Sequence, residues 1–229
     1  MMTPYTWLCF DADGTLFDYN LAEGIALKQT FQTVNTPYKE DYLDLYRGIN
    51  QQLWQALEQQ TITVPVLRLR RFEMLVESAQ LTCSADQMSA AYIDHLANCA
   101  ELIDGAVEVL SALQGKYRLA IVTNGLQAVQ TSRLAHSPIR EYIRELIISE
   151  EVGAAKPAAA FFDAAFARLG HPAKSKVLII GDSLTSDMRG GVDYGIDTCW
   201  YNPAGALRPD DLPITYEISA LRDLLEVLG

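Results

Sequence analysis

Two aspartates separated by one alanine, Asp11 and Asp13, follow the apolar run Trp7-Leu8-Cys9-Phe10. Further polar groups close later apolar runs: "VTNG" holds Thr123, Asn124 and Gly125, "SEEVGAAKP" holds Lys156, and "GDSLTSD" holds Asp182 and Asp187. Carboxylates gathered in one crevice repel one another, and a hard cation with oxygen ligands, Mg²⁺ above all, relieves that repulsion. Mn²⁺ shares the oxygen preference and is the alternative. Mg²⁺ on carboxylates commonly serves phosphates. Thr123 offers a hydroxyl and Asn124 an amide. Gly125 lets backbone approach a ligand closely. Lys156 adds a compact positive charge.

These groups suit a two-step phosphoryl transfer. Asp11 is the candidate nucleophile, forming an aspartyl-phosphate. Asp13 is the candidate general acid, then base for water. That division requires surroundings that raise the pKa of Asp13 relative to Asp11. Lys156 and the cation offset charge on the transferring group. Asp182 is the best third anchor for the metal. Asp187 is expected just behind the ligands, or orienting Lys156. Pro157 is expected at the first position of the next helix, fixing where Lys156 emerges.

Something must bring these segments together. Residues 6–11 read as a short buried strand. Between Leu21 and Asn98 apolar residues recur at helical spacing, broken near Pro37, Thr61–Pro65 and Ser84, so about four helices are expected. After Gly105 helices and strands alternate. Helices are expected over 105–114, 126–135, 158–169, 185–194 and 219–228, the last with Ser219 as N-cap. Strands are expected over 118–123, 145–149, 176–181, 197–201 and near 216–218. Such alternation implies an α/β fold, a parallel sheet with helices on both faces. Residues 1–17 and 101–229 would form that core, and 18–100 an inserted helical domain. In open α/β sheets ligands bind beyond the carboxyl ends of the strands, where the polar groups stand.

The composition narrows the function. With 229 residues, 49% hydrophobic, the chain has material for a sizeable core. A net charge of -11 excludes the basic footprint of a nucleic-acid binder. No window has the run of apolar residues a membrane span needs, and no basic-then-apolar leader is seen, so a cytoplasmic protein is expected. Cys9, Cys83, Cys99 and Cys199 form no CxxC pair and read as buried thiols.

Taken in order, "DADGT", "VTNG", Lys156-Pro157 and "GDSLTSD" resemble the four motifs of the haloacid dehalogenase-like hydrolases. The resemblance implies a Rossmann-like three-layer core with a helical-bundle cap of type C1 between the first two motifs. It implies Mg²⁺ held by the side chains of Asp11 and Asp182 and the main-chain carbonyl of Asp13, with Thr123 and the residue after it binding the phosphoryl group. "INQQLWQAL", "RFE", "ISEEVGAAKP" and "CWYNP" are similar to the pyrimidine 5'-nucleotidase branch. That implies a small phosphorylated metabolite as partner, a nucleoside monophosphate such as UMP, dUMP or dTMP. No nucleic-acid polymer or membrane partner is implied, and the protein would be a monomer or homodimer. A phosphoglycolate-type or sugar-phosphate phosphatase is the alternative, ahead of a dehalogenase, a phosphomutase or a non-catalytic binding protein.

Other residues read more plainly. Asp18 is expected to cap the first inserted helix, and the histidines at 95, 136 and 171 to be structural or surface residues. "RLRRF", Arg68–Phe72, reads as a solvated face, the other reading being Arg68 or Arg71 toward the crevice. Tyr46, Trp54, Phe72 and Phe17 suit either core packing or a base-stacking pocket.

Overall fold

The computed structural model describes residues 5–59 and 61–229. Six strands form one sheet in the order β3-β2-β1-β4-β5-β6: β1 Trp7–Phe10, β2 Arg118–Thr123, β3 Ile143–Ile148, β4 Val177–Gly181, β5 Asp197–Tyr201 and β6 Tyr216–Ile218. Every neighbouring pair is parallel. Strand alternation sends successive side chains to opposite faces. Leu8, Phe10, Leu119, Ile121, Leu178 and Ile180 pack on one side with α5 (Ala106–Leu113) and α10 (Asp223–Leu228). Trp7, Cys9, Ala120, Val122, Val177 and Ile179 pack on the other with α8 (Ala159–Arg168). Both faces are therefore apolar, as a doubly covered parallel sheet requires. The result is the three-layer, Rossmann-like α/β core. Order reverses between β1 and β4, and that switch point is where such sheets bind ligands.

The chain divides into two compact units, one of residues 1–19 and 100–229 and one of residues 20–99. The second holds nearly all of α1 (Tyr19–Thr33), with α2 (Asp41–Glu58), α3 (Val64–Ser78) and α4 (Ala85–Ala97). Local signals start these helices. Pro65 sits in the first turn of α3. The Ser84 hydroxyl caps α4 by accepting from the Gln87 N–H at 3.4 Å. Tyr46, Phe72 and Tyr92 are buried and join α2, α3 and α4, with ring centroids 5.3–5.5 Å apart. Trp54 is half-buried. Arg71 corrects the expectation of a solvated basic face: it is 1% exposed. Its guanidinium lies over Phe72 and Tyr92 and donates to Asn50 Oδ1 at 3.4 Å. Asn50 in turn donates to Glu23, which also pairs with Arg47 at 2.8 Å. Arg70 of that cluster makes a surface pair with Glu73.

Several boundaries differ from the sequence reading. The last helix begins at Asp223, not Ser219, because the Asp223 carboxylate accepts from the Ser219 hydroxyl and from the N–H groups of Ser219 and Ala220, folding them into a turn. Ser149 leaves β3 to open a short helix, α7 (Ser149–Val152). Pro157 is not the first residue of α8. It stands in a turn, joined to Lys156 by a cis peptide bond. The expected helix over 185–194 is a π-helical turn, Leu184–Met188, that runs into α9 (Arg189–Tyr194). The remaining helix, α6 (Gln127–His136), follows β2. Asp18 directly precedes α1. Cys9, Cys99 and Cys199 are buried, Cys83 is half-buried, and all are free. Among the described residues no helix is long and apolar enough to cross a membrane.

Candidate active site

Asp11 and Asp182 follow β1 and β4, the two strands that flank the switch point. The Asp11 N–H donates to the Ile180 carbonyl at 2.8 Å, tying the strand ends together. Thr123 closes β2, and Lys156 arrives from the loop after β3 and α7. Lys156 is the hub. Its ammonium donates to Asp11 Oδ1 at 2.6 Å, to Asp187 Oδ1 at 2.6 Å and to the Val122 carbonyl at 2.7 Å. Those bonds use all three donors of an ammonium group. The side chain is 1% exposed, so the charge is held by partners and not by water.

Electrostatics around Lys156 are lopsided. Burial alone would push its ammonium down, but the charges of Asp11 and Asp187 outweigh that and lift it above the ordinary lysine range. Burial pushes the Asp11 carboxyl well up, Lys156 pulls it back, and Asp187 and Asp182 add to the rise. Asp182 goes up to about 7, through the protein packed round its carboxyl and then through Asp187. Its residue surface nonetheless opens to solvent, so water tempers that rise.

The residues that end and follow β2 divide their tasks in a way the sequence did not suggest. Thr123 Oγ1 accepts from the Gly125 N–H at 3.0 Å, which leaves the hydroxyl proton to donate elsewhere. The Asn124 side chain, expected at a phosphate, is committed to the lysine loop. Its Nδ2 donates to the Lys156 carbonyl at 2.9 Å and its Oδ1 accepts from the Lys156 N–H at 2.8 Å. Two opposed bonds fix the backbone from which Lys156 emerges, the task sequence reading gave to Pro157. Gly125 is small for a neighbour within the fold: a Cβ there would stand 2.2 Å from Gln130 Nε2.

Asp13 lies apart from the lysine. Its Oδ2 accepts from Gln130 Nε2 at 2.5 Å, and its Oδ1 pairs with the Arg133 guanidinium. Two donors therefore face the carboxylate, one for each oxygen, and one of them is cationic. Asp187 sits in the π-helical turn, with Oδ2 accepting from the Ser183 N–H at 3.2 Å while Oδ1 holds Lys156. The Trp200 indole fixes the Asp182 carbonyl at 3.0 Å.

Asp11, Asp182 and Asp187 each offer a carboxylate oxygen, all within 4.8 Å of one another. Lys156 is the ammonium that faces them. An all-oxygen, anion-rich cluster of this kind fits a hard divalent cation. Sequence reading missed Gln130, Arg133 and the Val122 carbonyl. The first two stand three apart on α6, so a shared face was readable, but nothing linked that face to Asp13. A main-chain carbonyl leaves no mark in sequence.

Comparison with known proteins adds the family. The family model of haloacid dehalogenase-like hydrolases matches residues 8–201. The pyrimidine 5'-nucleotidase YjjG of Escherichia coli is 36% identical over 98% of this chain and 98% of its own length. The pyrimidine 5'-nucleotidase PynA of Streptococcus pneumoniae is 36% identical over 98% of this chain and 95% of its own. A crystal structure of the HAD-hydrolase YfnB from Bacillus subtilis, bound to magnesium, superposes with a TM-score of 0.92 at 36% identity, covering 98% of this chain and 99% of that one. Geometry and likeness extend over the whole length, and the chain belongs to the haloacid dehalogenase-like hydrolases.

Proposed function

We propose that this hydrolase is a Mg²⁺-dependent 5'-nucleotidase that removes phosphate from pyrimidine nucleoside monophosphates. The observation that carries the substrate class is the full-length identity to two pyrimidine 5'-nucleotidases, because it includes the helical unit of residues 20–99 as well as the core. The chemistry rests on Asp11 held by Lys156 at the switch point.

Asp11 Oδ1 is bound to Lys156, and Oδ2 is assigned the attack. A new bond forms from Oδ2 to phosphorus as the bond from phosphorus to the nucleoside oxygen breaks. Asp13 delivers a proton to that leaving oxygen. In the second step Asp13 takes a proton from water, whose oxygen attacks phosphorus; the aspartyl bond breaks and inorganic phosphate is released. Thr123 donates its hydroxyl to a phosphoryl oxygen, and Lys156 offsets charge. Asp11, Asp182 and the Asp13 carbonyl would hold the cation, with Asp187 behind them bracing Lys156. When bound, the cation supplies electrostatic stabilisation of the transferring phosphoryl group.

The test is phosphate release by purified protein from UMP, dUMP and dTMP against AMP, GMP and phosphoglycolate, with Mg²⁺ and with EDTA. Pyrimidine nucleotides should lead, and chelation should abolish turnover. Preference for phosphoglycolate would retire the nucleotidase reading, and full activity in EDTA would retire the metal.

A further inference from the structure

Gln130 and Arg133 lie on one face of α6, three residues apart, and are 1% and 0% exposed. Both reach a residue more than a hundred positions earlier in the chain. Gln130 serves one oxygen of the Asp13 carboxylate and Arg133 the other. Arg133 is itself placed by Phe17, with the guanidinium carbon 4.5 Å from the ring centroid. Gln130 has its room from Gly125, since a Cβ there would stand 2.2 Å from its amide nitrogen. The Asp13 side chain remains a quarter exposed, so it is gripped from behind and open on another side.

We propose that Gln130 and Arg133 are positioning residues for Asp13, fixing the direction in which its carboxylate meets the leaving oxygen and then the water. The inference rests on the acid–base role assigned to Asp13 above. A carboxylate on a freely rotating side chain samples several directions, and misplacement by about 1 Å costs on the order of 10²-fold in rate. Two donors, one for each oxygen, select one of them. The competing account is that Arg133 merely neutralises a neighbouring acid and stabilises the fold.

Leaving-group dependence separates the two accounts. Full-length wild type, Arg133→Lys and Gln130→Asn are assayed with Mg²⁺ on UMP and on p-nitrophenyl phosphate, whose aryl oxygen departs without a proton. Arg133→Lys keeps the charge and loses the planar fork. Gln130→Asn keeps the amide, loses one methylene of reach and carries no charge, which preserves the test should the arginine variant unfold. Positioning predicts that kcat on UMP falls about 10-fold or more with KM changed less than about 2-fold. On the aryl ester the first step survives while hydrolysis of the aspartyl-phosphate slows, so a burst of about one p-nitrophenolate per enzyme precedes slow turnover. An unchanged kcat on UMP, or a loss without a burst on the aryl ester, overturns the proposal. A wild type that is inactive on every phosphate ester would instead fail the reading on which the proposal rests.

Discussion

Lys156→Met removes the ammonium and keeps most of the stem volume. Three acceptors then lose their donor: Asp11, Asp187 and the Val122 carbonyl. The side chains of Asp11 and Asp187 are 11% and 0% exposed, so water cannot replace what is lost. Removing one partner of a buried ion pair costs about 3–5 kcal/mol. Folded domains hold about 5–15 kcal/mol, so the loss is a large fraction of the total and reads clearly in a melt. At about 2–4 °C per kcal/mol for a chain of this size, Tm should fall by about 6–20 °C. Two further observations tie the loss to charge and not to packing. Mg²⁺ should raise Tm more in the variant than in wild type, because binding offsets a larger excess of negative charge. Asp187→Asn should cost less in the Lys156→Met background than alone, with a coupling of about 0.5–3 kcal/mol. Losing a donor aimed at developing charge should also lower kcat by about 10²–10³-fold. Circular-dichroism melts with and without Mg²⁺, beside steady-state kinetics, read all of this. A melt within about 2 °C of wild type, with additive effects of the two substitutions, would refute the reasoning.

Asn124→Ala should strand the Lys156 N–H and carbonyl, costing about 1–3 kcal/mol and lowering kcat more than it raises KM; unchanged kinetics would return Asn124 to a bystander. Gly181→Ala puts a Cβ 2.2 Å from Asp187 Oδ2, so the carboxylate must move off Lys156. A stability loss of about 1–3 kcal/mol and a kcat loss of about 10-fold or more should follow. Its control is Gly48→Ala in α2, where nothing lies within 4 Å and the helix should gain about 0.5–1 kcal/mol. Denaturant melts that rank the two alanines the other way would undo the steric account.

The parallel α/β core was legible because both its faces are apolar and its strands read as short hydrophobic runs. The strands at 118–123 and 197–201 coincide with their sequence assignments for that reason. Element ends were less legible, since long-range or side-chain bonds set them. Asp223 delays α10, and the π-helical turn puts an extra residue where a regular helix was read. Arg71 was misread because periodicity alone cannot show two aromatic rings closing over a guanidinium. At the site, charged residues after strands could be named from residue type and spacing. What they bond to could not, because the partners come from elsewhere in the fold: Asn124 for the Lys156 backbone, α6 for Asp13.

The positions of small residues follow from the same crowding. A Cβ at Gly14 would stand 2.5 Å from Asp182 Oδ2, and its φ of +80° suits glycine besides. Gly181 makes the same room for Asp187, and Gly125 for Gln130. In each case a glycine at or just after a strand end leaves the space a polar side chain fills, for Gly125 and Gly181 a side chain five or six residues further on and for Gly14 one from the far end of β4. Carboxylates that repel one another are brought within 4.8 Å only if the backbone beside them yields that space. The chain therefore combines two devices, charge compensation through Lys156 and steric room through glycine. Loss of either should separate the acids, and the first should respond to Mg²⁺ while the second should not.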